Sequence, residues 1–198
     1  MPLVAMSPSE VMYAHMVGLA RHEQMRFCAD KPYYNRDHME PDIDAQPVAV
    51  LCEMAVAKFL NIYHLPTCWN VTVHKQHNLD ADIEDIIEVR RVRKVNIEKG
   101  NGPGVRLKDI GKTIVACGVS GEMDEVDILG WLEVTERHRG YIRKQESEHG
   151  FCSAKIESLK PCDDDFVTHM LSLIAEKKSD LGLDTPLITE GSDSLAAR

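Results

Sequence analysis

The spacing of apolar residues predicts two helices followed by a series of short strands. From Ser7 to Cys28, Val11, Ala14, Met16, Val17, Leu19 and Ala20 make one broad apolar side, and Arg21, His22, Glu23 and Arg26 close the segment with polar groups. That is the 3.6-residue period of a helix. Ser7 or Ser9 can cap it, Glu10 stands three residues after Ser7, and Pro8 suits a first helical position. Gln46 to Tyr63 reads as a second, more apolar helix built on Val48, Val50, Leu51, Met54, Ala55, Val56, Phe59, Leu60 and Ile62, with Pro47 in its first turn. Between them, Ala29 to Asp42 is polar and punctuated by proline, which reads as a loop. Its Tyr33, Tyr34, Asn35, Arg36 and His38 suit ligand contact and suit an ordinary surface loop equally.

Period-two alternation then takes over. Trp69 to His74 alternates like a strand, with Lys75 to Ala81 as the turn after it. Ile86 to Arg90 is a β-branched run, and Asn101-Gly102-Pro103-Gly104 reads as a turn. Val105 to Leu107, Thr113 to Val119 and Glu125 to Val134 read as further strands, joined by Lys108 to Lys112 and Ser120 to Asp124. Arg137 to His149 is highly polar and reads as a surface loop around a short irregular segment. Asp163 to Asp165 cap a last helix with an apolar face of Phe166, Val167, Met170, Leu173 and Ile174, while Lys177 and Lys178 suit its C-terminal dipole. The expected class is α/β (α+β): one domain over 1–160, a C-terminal helix over 161–178 and a mobile tail over 179–198.

The length of 198 residues allows one domain with a real core, and the proportions of apolar and charged residues are ordinary for a globular protein. No apolar run approaches the roughly 20 residues that cross a bilayer, and the N-terminus has no leader pattern, so no membrane partner and an intracellular location are expected. Six scattered cysteines without a CxxC pair read as free thiols, and the His74/His77 pair lacks the partners a zinc site needs. The net charge of −9 excludes a surface that binds nucleic acid throughout. Charge is nevertheless uneven: from Glu88 to Lys112 eight bases face three acids, whereas from Pro161 to Arg198 eight acids face three bases. A basic stripe of this kind fits one polyanion site, and it also fits a solvated charged hairpin.

Chemistry concentrates in Asp80 to Lys94 (DADIEDIIEVRRVRK). On a strand, Glu88 and Arg90 point to one face, and Asp82, six residues earlier, can be brought alongside by a turn. Carboxylates with a main-chain carbonyl suffice for Mg²⁺, which keeps several waters, so Asp82, Glu88 and the carbonyl of Val89 form a candidate set. Glu53 interrupts the apolar second helix: it lies on a solvent stripe or points at something that needs charge. Arg91, Arg93 and Lys94 suit contact with phosphates, which would give affinity without sequence choice, and equally suit a solvated strand end; Lys108 and Lys112, after the next strand, could line the same cleft. Trp131 reads as core beside Ile128 and Leu129.

A helix bearing a glutamate (CEMAVAKFLN, Glu53), an aspartate in DADIED (Asp82) and the EVR strand (Glu88-Val89-Arg90) resemble, in that order, the PD-(D/E)XK nuclease superfamily. More narrowly, with the later apolar strand ending in Gly130-Trp131, the stretch from Ser7 to Arg143 is similar to small nuclease-like proteins of tailed bacteriophages. The resemblance implies a restriction-endonuclease-like mixed sheet flanked by helices, DNA as partner, Mg²⁺ or Mn²⁺ as cofactor, and metal-dependent phosphodiester hydrolysis. It assigns the metal to Glu53, Asp82 and Glu88, puts Arg90 on the phosphate, and suggests a homodimer by analogy. This sequence departs from the pattern at Arg90, where the superfamily carries lysine. A guanidinium can steady charge but hardly act as a base, so a catalytically inert fold that binds DNA or protein is the alternative. Asp85 and Asp80 remain competitors for the place given to Asp82.

Overall fold

The computed structural model describes residues 1–28, 42–68, 81–145 and 152–180. The loop expected over Ala29 to Asp42, the Trp69 to His74 strand, the HxxH pair, Asp80 and the tail beyond residue 180 lie outside the described residues, apart from Asp42 itself. The chain opens with strand β1 (Leu3–Ala5) and helix α1 (Pro8–Cys28). The Ser7 amide donates to Glu10 Oε2 at 2.6 Å and the Glu10 amide to Ser7 Oγ at 3.3 Å, so the predicted capping box forms. Helix α2 (Asp42–Phe59) follows, starting before the expected Gln46 and leaving Pro47 inside it rather than in its first turn. Proline there removes one early backbone bond, and the loss accompanies a close crossing: a Cβ on Gly18 of α1 would stand 2.3 Å from the Pro47 nitrogen.

After these come β2 (Ile87–Arg91), a one-turn α3 (Lys94–Glu98), β3 (Asn101–Val105), β4 (Thr113–Val119), β5 (Glu125–Glu133), α4 (Arg139–Gln145), β6 (Cys152–Lys155) and α5 (Asp164–Asp180). The fold is mixed α+β. The larger sheet has the order β1-β5-β4-β2, with β2 parallel to β4 and the other pairs antiparallel. The smaller is an antiparallel ribbon of β3 and β6. No helix among the described residues is long and apolar enough to cross a membrane.

Alternation along β4 separates the two faces of the large sheet. Val115 and Cys117 turn toward α1, α2 and α5, joining Ala14, Val17, Leu51, Ala55, Phe166 and Met170 in the main core. Ile114 meets Val105, Ile142 and Cys152, while Ala116 meets Val92 and Leu129 with Ile97 of α3 against them. Helix α5 therefore belongs to the same core as the first two helices. Trp131 is buried there against Phe166 at 5.1 Å between ring centroids, and its indole N–H donates to the Pro161 carbonyl at 2.9 Å. Gly130 before it has φ +146°, and a Cβ there would meet the Lys160 carbonyl at 2.7 Å, so only glycine fits.

Three sequence expectations are corrected. Asn101 to Gly104 is the strand β3 rather than a turn, because Gly102 lacks the Cβ that would crowd the Ala154 carbonyl of β6 at 3.2 Å. The following Val105 to Leu107 strand accordingly ends at Val105, and Leu107–Asp109 is a 3₁₀ turn. The polar stretch after Arg137 contains the helix α4, anchored by fully buried Ile142. Strands β1 and β6 had no forecast, since three or four residues are too few for alternation to register.

Candidate functional site

The site is built on the free side of β2, away from β4. In a parallel pair, alternate residues of a strand bond to the neighbour. The Thr113 amide donates to the Ile86 carbonyl, so Ile87 and Val89 turn their main-chain groups the other way. There the Val89 amide donates to Asp82 Oδ2 at 2.8 Å, and Ile83 exchanges both backbone bonds with Ile87, at 3.0 and 3.1 Å. A tight turn through Ile83–Ile86 thus folds Asp82 back onto the EVR strand. Of the competing aspartates, Asp85 is exposed and pairs with Lys177, and Asp80 is outside the described residues. Asp82 is the one bonded to the strand.

Glu53 does not lie on a solvent stripe. It is 5% exposed and held by both nitrogens of buried Arg21, Nη1 to Oε1 at 2.6 Å and Nη2 to Oε2 at 3.0 Å. Arg21 Nε also donates to the Thr67 carbonyl at 2.9 Å, tying α1, α2 and the segment after α2 together. The expectation that a charged residue inside an apolar helix needs a partner if buried is met here, with the partner coming from another helix. Arg21 was visible in the sequence only as a polar residue near the end of α1.

Glu88 is buried on the opposite face from Ile87, and each of its oxygens has a cation: Arg90 Nη2 at 2.5 Å from Oε1 and Lys112 Nζ at 3.4 Å from Oε2. Arg90 also reaches Asp109 Oδ1 at 3.1 Å, and Asp109, fully buried, accepts the Arg106 amide at 2.8 Å through Oδ2. Lys108, half-buried in the turn that carries Asp109, is held below the usual lysine range by burial; Glu88 and Asp109 oppose the shift, and Arg90 and Lys112 add to it. The Nε of Arg90 is buried and makes no hydrogen bond among the described residues.

These groups act on one another across the edge of the sheet. The Asp82 carboxyl is pushed up to about 8, by burial first and then by the negative charges of Glu53 and Glu88, against the opposing Val89 amide and Arg90. Two glutamates from opposite faces of the sheet therefore act on one aspartate at its edge. His64, placed by neither composition nor spacing, joins from the segment after α2. Burial lowers its pKa, Glu53 and Glu84 oppose that, and its Nε2 is buried without a hydrogen bond among the described residues.

The remaining candidates separate. Lys112 and Lys108 turn inward to the Glu88 group, whereas Arg91 ends β2, Arg93 precedes α3, and exposed Lys94 begins it. As donors, Asp82, Glu88 and Glu53 suit a hard cation in kind, and burial with the two glutamates beside it raises the Asp82 carboxyl. As placed, both glutamates are committed to basic side chains, and among the described residues no three His, Cys or carboxylate groups stand as a ready ligand set. No family model, curated protein or solved structure matches the chain.

Proposed function

We propose that this chain is a metal-dependent deoxyribonuclease with a restriction-endonuclease-like fold, hydrolysing phosphodiester bonds of DNA. The observation that carries the reading is the set of three carboxylates from a helix, a turn and the EVR strand, with Glu53 and Glu88 both raising the pKa of Asp82. Asp82 and Glu88, with Glu53 beside them, would hold Mg²⁺ or Mn²⁺, which supplies Lewis-acid activation of phosphate and water. The protein's own part is electrostatic. Arg90, with Lys112 and Lys108 beside it, meets the charge that develops on the phosphate. Arg91, Arg93 and Lys94 extend the basic surface along the DNA backbone. A homodimer that cuts both strands and action inside a host cell belong to the same proposal.

One observation favours a second reading. Every oxygen of Glu53 and Glu88 already faces a basic side chain. Such a site is neutralised without a metal, as expected of a nuclease-like fold that binds DNA or protein without cutting. Cleavage of plasmid and single-stranded DNA with Mg²⁺ or Mn²⁺, by wild type and Glu88→Ala, decides between them. The nuclease reading expects cutting that disappears in the variant while its circular dichroism and melting transition persist. Well-folded wild type that cuts nothing with either metal refutes it.

A further inference from the structure

The turn that delivers Asp82 is strained, and the last helix holds it. Glu84 and Asp85 both have positive φ, +50° and +52°, and the Ile86 amide donates to the Ile83 carbonyl at 3.1 Å. Two consecutive left-handed residues closed by that bond make the type I′ turn, which strongly favours Asn-Gly. Glutamate and aspartate adopt it at a cost and persist in it only where the surroundings impose it. Those surroundings are the buried Ile83–Ile87 bridge on one side and α5 on the other. Lys177 Nζ donates to the Glu84 carbonyl at 3.3 Å and lies 3.3 Å from Asp85 Oδ2, and Lys178 Nζ lies 3.1 Å from Glu84 Oε1.

We propose that Lys177 and Lys178 are positioning residues, which clamp the Glu84–Asp85 turn in its left-handed form and so keep Asp82 on the Val89 amide. The clamp stands on the geometry alone; its importance for catalysis rests on the nuclease reading of Asp82. The acid–base distribution follows from this role. The two lysines at the end of α5 favour the helix dipole and meet the two acidic side chains of the turn. They act on Asp82 through the turn rather than by touching its carboxyl.

Amide hydrogen exchange of the metal-free protein reads the clamp directly, because Val89 N–H is protected by Asp82 itself. Lys177→Met/Lys178→Met is expected to speed exchange at Val89 by about five- to thirty-fold, the size two partly exposed ion pairs supply, with Val115 in the centre of the sheet unchanged. Lys177→Arg/Lys178→Arg should keep the protection. Adding Asp85→Gly to the methionine pair should restore it, since glycine takes the left-handed position without strain. Unchanged exchange at Val89 overturns the proposal. So does a rise shared equally by Val115, which would make α5 a general stabiliser, and so does a failure of Asp85→Gly to rescue. With DNA and Mn²⁺, the methionine pair should lower kcat with little change in KM. A wild type that never cuts removes the nuclease reading, and the exchange rates alone then decide whether the clamp exists.

Discussion

Removing Arg21 should destabilise this protein more than removing any exposed charge. The pair it makes with Glu53 is almost dry, with both side chains 6% exposed, and bidentate. Arg21→Met leaves the Glu53 carboxylate in the core with neither its cation nor its two hydrogen bonds, and removes the bond from Arg21 Nε to the Thr67 carbonyl. Breaking a buried pair from one side costs about 3–5 kcal/mol, a large part of the roughly 5–15 kcal/mol that holds a typical domain folded. Replacing both partners by apolar groups is nearly neutral, so Arg21→Met/Glu53→Leu should recover to within about 2 kcal/mol of wild type. Urea denaturation at pH 7 with a common m-value measures all four members of the cycle. A cost under about 1 kcal/mol for Arg21→Met, the range of a solvated pair, would refute the dry-pair account. A double variant as unstable as the two single losses added together would refute it equally.

The raised Asp82 pKa gives a pH dependence of known sign. A carboxyl at about 8 in the folded protein and near 3.8 when unfolded binds more protons folded, so its contribution to stability is full at low pH and is lost as pH rises toward 8. In metal-free buffer the slope should reach at most about 1.4 kcal/mol per pH unit, and Asp82→Asn should flatten it; urea midpoints between pH 5 and 8 with no difference between the two proteins would contradict the assignment. His64, lowered by burial, works in the opposite sense, which is why the comparison with Asp82→Asn matters more than the bare slope. Gly18→Ala should cost about 1–3 kcal/mol by overpacking, since the new Cβ would stand 2.3 Å from the Pro47 nitrogen and 2.5 Å from its Cα, both rigid backbone. A higher melting temperature for that variant, as helix propensity alone would give, would show that the helices can part at no cost.

What the sequence disclosed was whatever repeats over a long window. Helices α1, α2 and α5 and strands β4 and β5 carry enough periodic residues to be read, and the Ser7/Glu10 cap is a local motif with one geometry. The Asn101–Gly104 strand was misread because glycine and proline ordinarily signal a turn; here glycine lets β6 approach, a fact about a partner some fifty residues away. The site divides along the same line. Glu88 and Arg90 two apart on a strand, and Asp82 returned to them by a turn, follow from local spacing. Arg21 to Glu53, Asp109 to Arg90, Lys112 to Glu88 and Lys177 to the Asp82 turn are contacts between elements, and no spacing rule reaches them. Their common signal was charge on an otherwise apolar or structured segment, which identifies a residue in need of a partner without naming it.

Those unforeseen partners bear on the proposed nuclease reading, in which Arg90 stands where the resembled superfamily carries lysine. Arg90 Nη2 lies against both Glu88 and Asp109, so it ties the strand to the turn after β3. A compact charge beside Glu88 comes from another direction: Lys112 stands at the start of β4, next to β2 in the sheet, with its Nζ 3.4 Å from Glu88 Oε2. On the proposed nuclease reading, Arg90 would bridge the strand to the turn and Lys112 would supply the point charge beside Glu88. Arginine at position 90 is therefore weaker evidence against the proposed nuclease than the linear sequence implies. The stronger evidence on that side is that both Glu88 oxygens are engaged, because a cation that binds there would compete with Lys112 and Arg90 for the carboxylate.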